Sequence, residues 1–531
     1  MSLLLKNQIR NSNANPKYSV WRQSLPQIIA VFIKNTLLFI HGTSLGFPTI
    51  LVPGISGNDR SETILFGQDE ISWISSINLI FIPMGCLISG SITQAIGRKR
   101  AMQIINIPFI ISWLLFHFST KSWIIFLAAS ILGFSGGLLE APVLTYVAEV
   151  TQPHLRGILS CTGTMSVTLG MLSQFILGSF IQWRTVTLVN CSFPVISFLL
   201  LMIVPETPVW LLSKNRIEEA KKSIAWLRGW TNIEDIQDEF QELHKQICNE
   251  KQPDSFKEAI SQKLKNLKLF SKRIFIYPSS LLAFVFFLGH FNGYGPFQVY
   301  AIKIFQQMEV SIDPYYLTII LGVMQLLGSF VCVFSIRFFG KRTLTFFSLG
   351  MSTICCFIVG VYAYNKNIIV FDPTGVSEEP VNLEQGNWIP AACLILFGFF
   401  AYVGIKGLPF ILIGELFAVE IRAFSSGFSA GVGYVFGFIA NKTFLGMVSN
   451  FGLPRVFWFY ASVGLLGAVG LYFILPETEG KTLYEISEHF AGRTKLTNSV
   501  RRHKKKRSQE NGCHNVAFDV EEGAEKIESK L

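Results

Sequence analysis

Three ionisable residues interrupt long apolar stretches of this chain. Glu140 stands in Gly136-Gly137-Leu138-Leu139-Glu140-Ala141-Pro142, Lys406 in Val403-Gly404-Ile405-Lys406-Gly407-Leu408-Pro409, and His290 in Gly289-His290-Phe291-Asn292-Gly293-Tyr294-Gly295-Pro296. Such side chains are costly in apolar surroundings and are retained where they pair, relay protons or meet a polar ligand. A carboxylate and an ammonium can pair across a cavity, and a carboxyl group left alone there holds a proton more tightly. Glu140 and Lys406 are therefore expected to face one another, directly or through water, or else Glu140 works singly as a proton carrier. The blander alternative is that Lys406 snorkels while Glu140 caps a proline-broken helix. His290, like His41, is as readily a hydrogen-bonded packing residue as a ligand.

A second set of charges is repeated along the chain. Glu149 precedes Arg156 and Glu415 precedes Arg422 at the same spacing, with a common shift of 266 positions. Gly97-Arg98-Lys99-Arg100 returns as Gly340-Lys341-Arg342, and Pro205-Glu206-Thr207-Pro208 as Pro476-Glu477-Thr478-Glu479-Gly480, in the same order. A planar guanidinium suits bidentate pairing with a carboxylate. Arg98, Glu149, Arg156, Arg342, Glu415 and Arg422 are thus expected to form charge clusters that close one side of a two-halved molecule and part when the halves part. Taken singly, each is an ordinary charge at a membrane edge.

The elements that must position these residues are membrane helices. Half of the 531 residues are hydrophobic and 15% are charged, where a soluble protein carries about a quarter; the mean hydropathy is +0.43. Twelve apolar blocks are long enough to span, at about 27–53, 71–95, 102–119, 123–147, 158–182, 186–204, 274–302, 315–336, 343–364, 388–413, 424–447 and 456–475. Lipid offers open backbone groups no partner, and the blocks lack the alternation of a barrel, so they read as helices. Ordered internal repetition in such a chain points to two homologous halves. The expected fold is all-α: twelve transmembrane helices in two pseudo-symmetric six-helix bundles.

The chain then divides into an N-terminal segment (1–26), a first bundle (27–204), a helical linker (205–273), a second bundle (274–475) and a basic tail (476–531). Lys and Arg crowd the loops after spans two, four and eight, the linker and the tail, which places both termini in the cytoplasm. The plasma membrane is the expected location. The net charge of +10 comes from this asymmetry and from the tail run Arg501-Arg502-His503-Lys504-Lys505-Lys506-Arg507. Beside a membrane span such a run suits anionic lipid or solvent, not nucleic acid. The linker pattern is amphipathic, with Glu218 and Lys222 as an i,i+4 pair, and holds no phosphate-binding loop. No nucleophile–base set or metal-ligand spacing is present, so neither an enzyme nor a cofactor or metal is expected.

Together, Gly97-Arg98-Lys99-Arg100, Tyr146-Val147-Ala148-Glu149 with Arg156-Gly157, Pro205 to Leu212, Gly414-Glu415-Leu416-Phe417 with Arg422, and Pro476 to Leu483 resemble the motifs of the sugar porters of the major facilitator superfamily. Within that family the chain is similar to insect facilitated trehalose transporters and their paralogues, in the style of Asn441-Lys442-Thr443-Phe444. The resemblance implies the major facilitator fold, a cavity lined by spans one, four, seven and ten, and passive or proton-coupled movement of a sugar such as trehalose or a hexose. The departures are many. The glutamines expected in span seven fall at Gly289 and His290, its asparagine at Gly295, and the span-five glutamine at Thr164. In span ten the expected Trp falls at Phe410 and an acidic residue near Tyr402, and the asparagine that follows falls near Gly433. Gln325 stands near the span-eight asparagine, and Gln94 replaces an acidic loop residue. The candidate substrate-binding residues are therefore Thr164, His290, Asn292, Gln325, Tyr402, Phe410, Glu140 and Lys406. The substrate is a small molecule, membrane lipid is the other partner, and a proton is a candidate co-substrate. A non-sugar solute or organic ion, or a sensor without turnover, is the alternative.

Overall fold

The structure is a computed structural model that describes residues 20–58, 62, 64–249, 272–308, 310, 312–368, 388–417, 422–481 and 483–496; some side chains within these, including those of Arg156 and Arg422, lie outside the description. The basic run 501–507 and the loop acids Asp59, Glu378 and Glu379 also lie outside it. Backbone amides and carbonyls cannot be left open in lipid, and twelve helical spans result. The first half holds Val20–Pro53, Gln68–Ile74 with Ile77–Ile96, Arg98–His117, Ser122–Leu138 with Glu140–Val150, Pro153–Phe180 and Trp183–Ile203. The second holds Arg273–Phe291 with Tyr294–Val299 and Ala301–Gln307, Pro314–Phe339, Lys341–Asn365, Trp388–Val403 with Leu408–Leu416, Arg422–Phe451 and Leu453–Ile474. Ten are long and apolar enough to cross a membrane by composition; the more polar third and fifth complete the set. The first helix begins well before the apolar block that announced it, because its polar opening turns extend beyond that block.

Spans four, seven and ten, continuous in the hydropathy pattern, are broken at mid-depth. Proline lacks an amide hydrogen and clashes with the carbonyl four residues back, which opens the helix there. Pro142 frees the Leu138 carbonyl, and the Ser89 hydroxyl of span two donates to it while accepting the Ala141 amide at 3.2 Å. Near Pro409 in span ten the Ser348 hydroxyl of span nine does both jobs, donating to the Phe400 carbonyl at 2.7 Å and accepting the Ile405 amide at 3.0 Å. In span seven Pro296 frees the Asn292 carbonyl, which the Cys356 thiol approaches at 3.6 Å. The chain turns there at Gly293, whose φ of +86° favours glycine. Span one carries Pro48 without breaking, and its freed Ser44 carbonyl accepts from Asn78 Nδ2 at 3.3 Å.

At the end bearing the charged motifs, the two halves repeat one construction. Gly97 (φ +100°) and Gly340 (φ +81°) start spans three and nine in backbone conformations that L side chains rarely adopt. The open amides of these helix starts are held by a glutamate that returns from the end of the same half: Glu206 accepts from the Arg98 and Lys99 amides, and Glu477 from those of Lys341 and Arg342, at 3.0–3.1 Å. A carboxylate at a helix N-terminus satisfies orphan donors and the helix dipole together. The first basic side chain after each glycine then pairs with the span-end glutamate: Arg98 with Glu149 at 2.7 Å, and Lys341 with Glu415 at 2.7 Å. The second basic side chain reaches backbone carbonyls, Lys99 that of Met202 and Arg342 those of Leu475 and Tyr472. Arg342, expected among the gate charges, is thus a helix-end clamp, and Lys341 occupies the paired position. The halves differ in that Glu479 also binds Lys341, at 2.9 Å, where the first half has Pro208, and that Thr478 donates to Glu415 at 2.9 Å where the Thr207 hydroxyl has no partner among the described residues.

Between the halves, Pro208–Ser213, Ile217–Leu227 and Gln237–Asn249 pack around Trp210, Leu211, Ile224 and Phe240. Glu218 bonds Lys221 at 2.9 Å instead of the expected Lys222, one helical turn being equally well bridged at i,i+3.

Two expected outcomes follow. Ser89→Ala and Ser348→Ala each leave a broken helix with open backbone groups and should cost about 1–3 kcal/mol, read as lowered thermal unfolding of the detergent-solubilised chain. Ser130→Ala, whose hydroxyl only back-bonds Phe126 within an unbroken helix, should cost under about 0.5 kcal/mol; equal losses in all three would refute the repair role. Glu149→Gln strips Arg98 of its carboxylate and should cost about 3 kcal/mol, whereas Glu415→Gln should cost less because Lys341 keeps Glu479. The reverse order in melting experiments would contradict the asymmetry.

Candidate functional site

The three breaks set the polar groups of the interior. Glu140 is the first residue of Glu140–Val150, and Lys406 lies just past the end of Trp388–Val403. A helix start favours a negative charge and a helix end a positive one, so each break receives the charge its backbone tolerates. Because backbone and neighbours satisfy these positions separately, the two charges need not meet. No ion pair joins Glu140 to Lys406 among the described residues. Glu140 instead accepts a hydrogen bond of 3.1 Å from the Tyr434 hydroxyl of span eleven. That hydroxyl lies 3.4 Å from His41 Nε2, and His41 Nδ1 lies 3.5 Å from the Ser44 hydroxyl. The line Glu140–Tyr434–His41 runs from the first half to the second and back.

Lys406 stands 5.7 Å from the centre of the Tyr294 ring, a cation over an aromatic face. A Cβ placed on Gly295 would lie 3.8 Å from both Lys406 Nζ and His290 Nδ1, and 3.4 Å from Asn441 Oδ1. The position where the family resemblance puts an asparagine is therefore a notch ringed by polar heads from three spans. Gly433, the other asparagine position, has no such space, because the Phe286 ring fills it.

The remaining candidates divide. Thr164 and Tyr402 share a pocket barely the size of a water molecule with Ser329, Cys332, Val333, Gly407 and Ile411. Gln325 is fully buried and donates to the Tyr294 hydroxyl, leaving its own carbonyl oxygen unpaired. Phe410 is 40% exposed yet sits edge-on to Phe286 and beside Tyr434, so it borders open space inside the bundle. Asn292 does not join this group. Its Oδ1 accepts the Tyr294 amide at 3.0 Å and its backbone faces Cys356 of span nine, so it works on the helix break.

Three residues escaped the sequence reading. Lys34 is 2% exposed in span one, beside Gly163 of span five; a lone Lys in Ala30-Val31-Phe32-Ile33-Lys34, two turns before His41, was its signal. Tyr434 had none, because a tyrosine in an apolar helix is ordinary. Lys341 was hidden by the expectation that arginine would take the pairing.

Besides the Thr168–Ser329 hydroxyl pair at 3.2 Å deeper in the seam, several polar contacts between the halves lie at the end opposite the charged motifs. There Thr49 bonds the Gln298 carbonyl at 2.9 Å, Ser75 the Tyr300 hydroxyl at 2.8 Å, and Ser72 the Lys442 carbonyl at 2.8 Å, with Lys442 4.5 Å over the Trp73 ring. The charge clusters at the motif end, by contrast, each close within their own half.

Known proteins share this build. The chain is 27% identical over 485 residues to a facilitated trehalose transporter of Apis mellifera ligustica, covering 91% of this chain and 92% of that one. It is 27% identical over 506 residues to one of Bombyx mori, covering 94% and 93%. Among solved structures it superposes on the proton:xylose symporter XylE bound to 6-bromo-6-deoxy-D-glucose with a TM-score of 0.65 at 19% identity, covering 87% of this chain and 98% of that one. The inward-open xylose transporter from E. coli gives 0.65 at 20%, covering 87% and 99%. These solved structures share the twelve-helix major facilitator fold. The family model described as "Sugar (and other) transporter" matches residues 56–490, and the chain belongs to that family.

Proposed function

We propose that this chain carries a small polar solute, a sugar of the trehalose or hexose class, across the plasma membrane by alternating access. The observation that carries this reading is the group of three helix breaks at one depth, which turns polar and charged side chains into the seam between two repeated halves. A continuous apolar helix would have no reason to hold Glu140, His290 and Lys406 there. The motif-bearing end is the cytoplasmic side with both termini, by its excess of Lys and Arg. Contacts between the halves at the far end, with clusters closed within each half at the near end, then correspond to a conformation open toward the cytoplasm.

In this reading Arg98–Glu149 and Lys341–Glu415, with Arg156 and Arg422, are the gate charges that repartner when the cytoplasmic side closes. Thr164, Tyr402, Gln325, His290 and Phe410 contribute to the solute site. The Glu140–Tyr434–His41 line links the halves at mid-depth and is the candidate route for a co-transported proton, since it joins a carboxyl group, a hydroxyl and an imidazole across the seam.

Uptake of labelled trehalose, glucose and xylose by transporter-null cells, at two external pH values, tests the function. Saturable uptake of at least one sugar is expected, and uptake indistinguishable from that of untransformed cells with all three would overturn it. Tyr434→Phe removes only the hydroxyl that bridges Glu140 and His41. It should abolish pH-driven accumulation while leaving sugar exchange within about a factor of three, a change worth under 1 kcal/mol. Accumulation that survives Tyr434→Phe and Glu140→Gln alike would remove the proton route.

A further inference from the structure

The interior charges do not balance. A membrane protein keeps an ionised side chain at mid-depth when it is paired or lies on a ligand's path. Glu140 has its donor in Tyr434. Lys34 and Lys406 have no acidic partner and no hydrogen-bond acceptor among the described residues. Lys34 lies beside Gly163 of span five, whereas Lys406 faces Gly295 and the Tyr294 ring of span seven. Among these described groups Glu140 is bonded, and Lys34 and Lys406 are not.

Lys406 also has a prepared space in front of it. A Cβ on Gly295 would meet Asn441 Oδ1 at 3.4 Å and His290 Nδ1 and Lys406 Nζ at 3.8 Å, so the glycine leaves room for a methyl-sized group bordered by polar heads from three spans. Asn441 donates through Nδ2 to the Ser75 carbonyl at 3.4 Å, which leaves its oxygen facing the notch as an acceptor. An ammonium offers three donors to a carboxylate, an imidazole donates or accepts with its tautomer, and an amide oxygen accepts from a hydroxyl. A neutral sugar satisfies the amide and leaves the ammonium uncompensated. A carboxylate flanked by hydroxyl groups satisfies all three.

We propose that the Gly295 notch is an anion subsite in which Lys406 binds a carboxylate and Asn441 an adjacent hydroxyl, so that the solute is an acidic sugar of the uronate or aldonate type. This rests on the transport reading and narrows its substrate class. The Tyr294 ring holds the Lys406 ammonium in place from behind.

The test is counterflow of labelled D-glucuronate and D-glucose in proteoliposomes containing the purified full chain. Glucuronate should exchange with roughly ten- to hundredfold higher apparent affinity than glucose, the range of a charge-assisted hydrogen bond. Lys406→Gln should bring that ratio to about one, and Lys406→Arg should retain most of it. Gly295→Ala puts a methyl group into the notch at ordinary contact distances, so it should fold and still lose the glucuronate preference. Equal or better exchange of glucose by the parent chain, or a preference unchanged in both Lys406→Gln and Gly295→Ala, overturns the anion subsite and leaves transport standing. Exchange of neither probe overturns the subsite, and the trehalose, glucose and xylose uptake panel then decides the transport reading separately.

Discussion

The structure depends on one constraint: inside lipid every backbone amide and carbonyl must find a partner within the protein. Straight helices meet it at no further cost. A proline or a break in a span does not, and at four places in this structure a side chain from a neighbouring helix answers the opened groups. Ser89, Ser348, Cys356 and Asn78 are those answers in spans four, ten, seven and one. Each repair ties a central helix to a particular neighbour at a particular height. The breaks consequently stand at a common depth, and the helix ends they create are where ionisable groups are least costly. Site and scaffold here are one piece of physics.

The same economy organises the motif-bearing end. Glu206 and Glu477 each close the amino end of a helix early in their own half, so the last residues of a bundle hold its third span. Arg98 and Lys341 are then left with one carboxylate partner on the fourth span of the half, Glu149 or Glu415. Each of these ion pairs thereby lies inside one half, although Arg98 Nε and Glu149 Oε2 keep no hydrogen-bond partner among the described residues. The additional Glu479 on Lys341 makes the second unit the better compensated one. Arginine serves where one carboxylate must suffice, and lysine where two converge.

Across the seam the bonding is sparser and polar. Hydroxyls and amides of Thr49, Ser72, Ser75 and Asn441 meet backbone and side-chain partners of the other half at one end, and the Glu140–Tyr434–His41 line does so at mid-depth. The neutral hydrogen bonds among these are worth about 1 kcal/mol each and break without exposing an unpaired buried ion. A seam of many weak bonds suits exchange between two arrangements; a seam of buried ion pairs would hold one of them.

Much of this was legible in the residues. Lipid imposes its own length and composition on a helix, so twelve apolar blocks announced twelve spans, and ordered motif pairs announced two halves. The glycine–basic and Pro-Glu-Thr motifs also announced where charge would gather, because charges at span ends are what the interface tolerates. Which charges met was not legible. Glu140 and Lys406, opposite in sign and both intramembrane, do not pair: Tyr434 bonds the carboxylate, and the ammonium stands over the Tyr294 ring. Arg342 and Lys341 exchanged expected roles because the rotation at Gly340, not the basicity of the side chain, aims the first residue at Glu415. Asn292 turned from the cavity to the break it repairs. Composition and periodicity decide what a membrane helix must bury and how long it must be; partners across helices depend on rotation, depth and the placement of breaks, and those exist only once twelve helices are packed together.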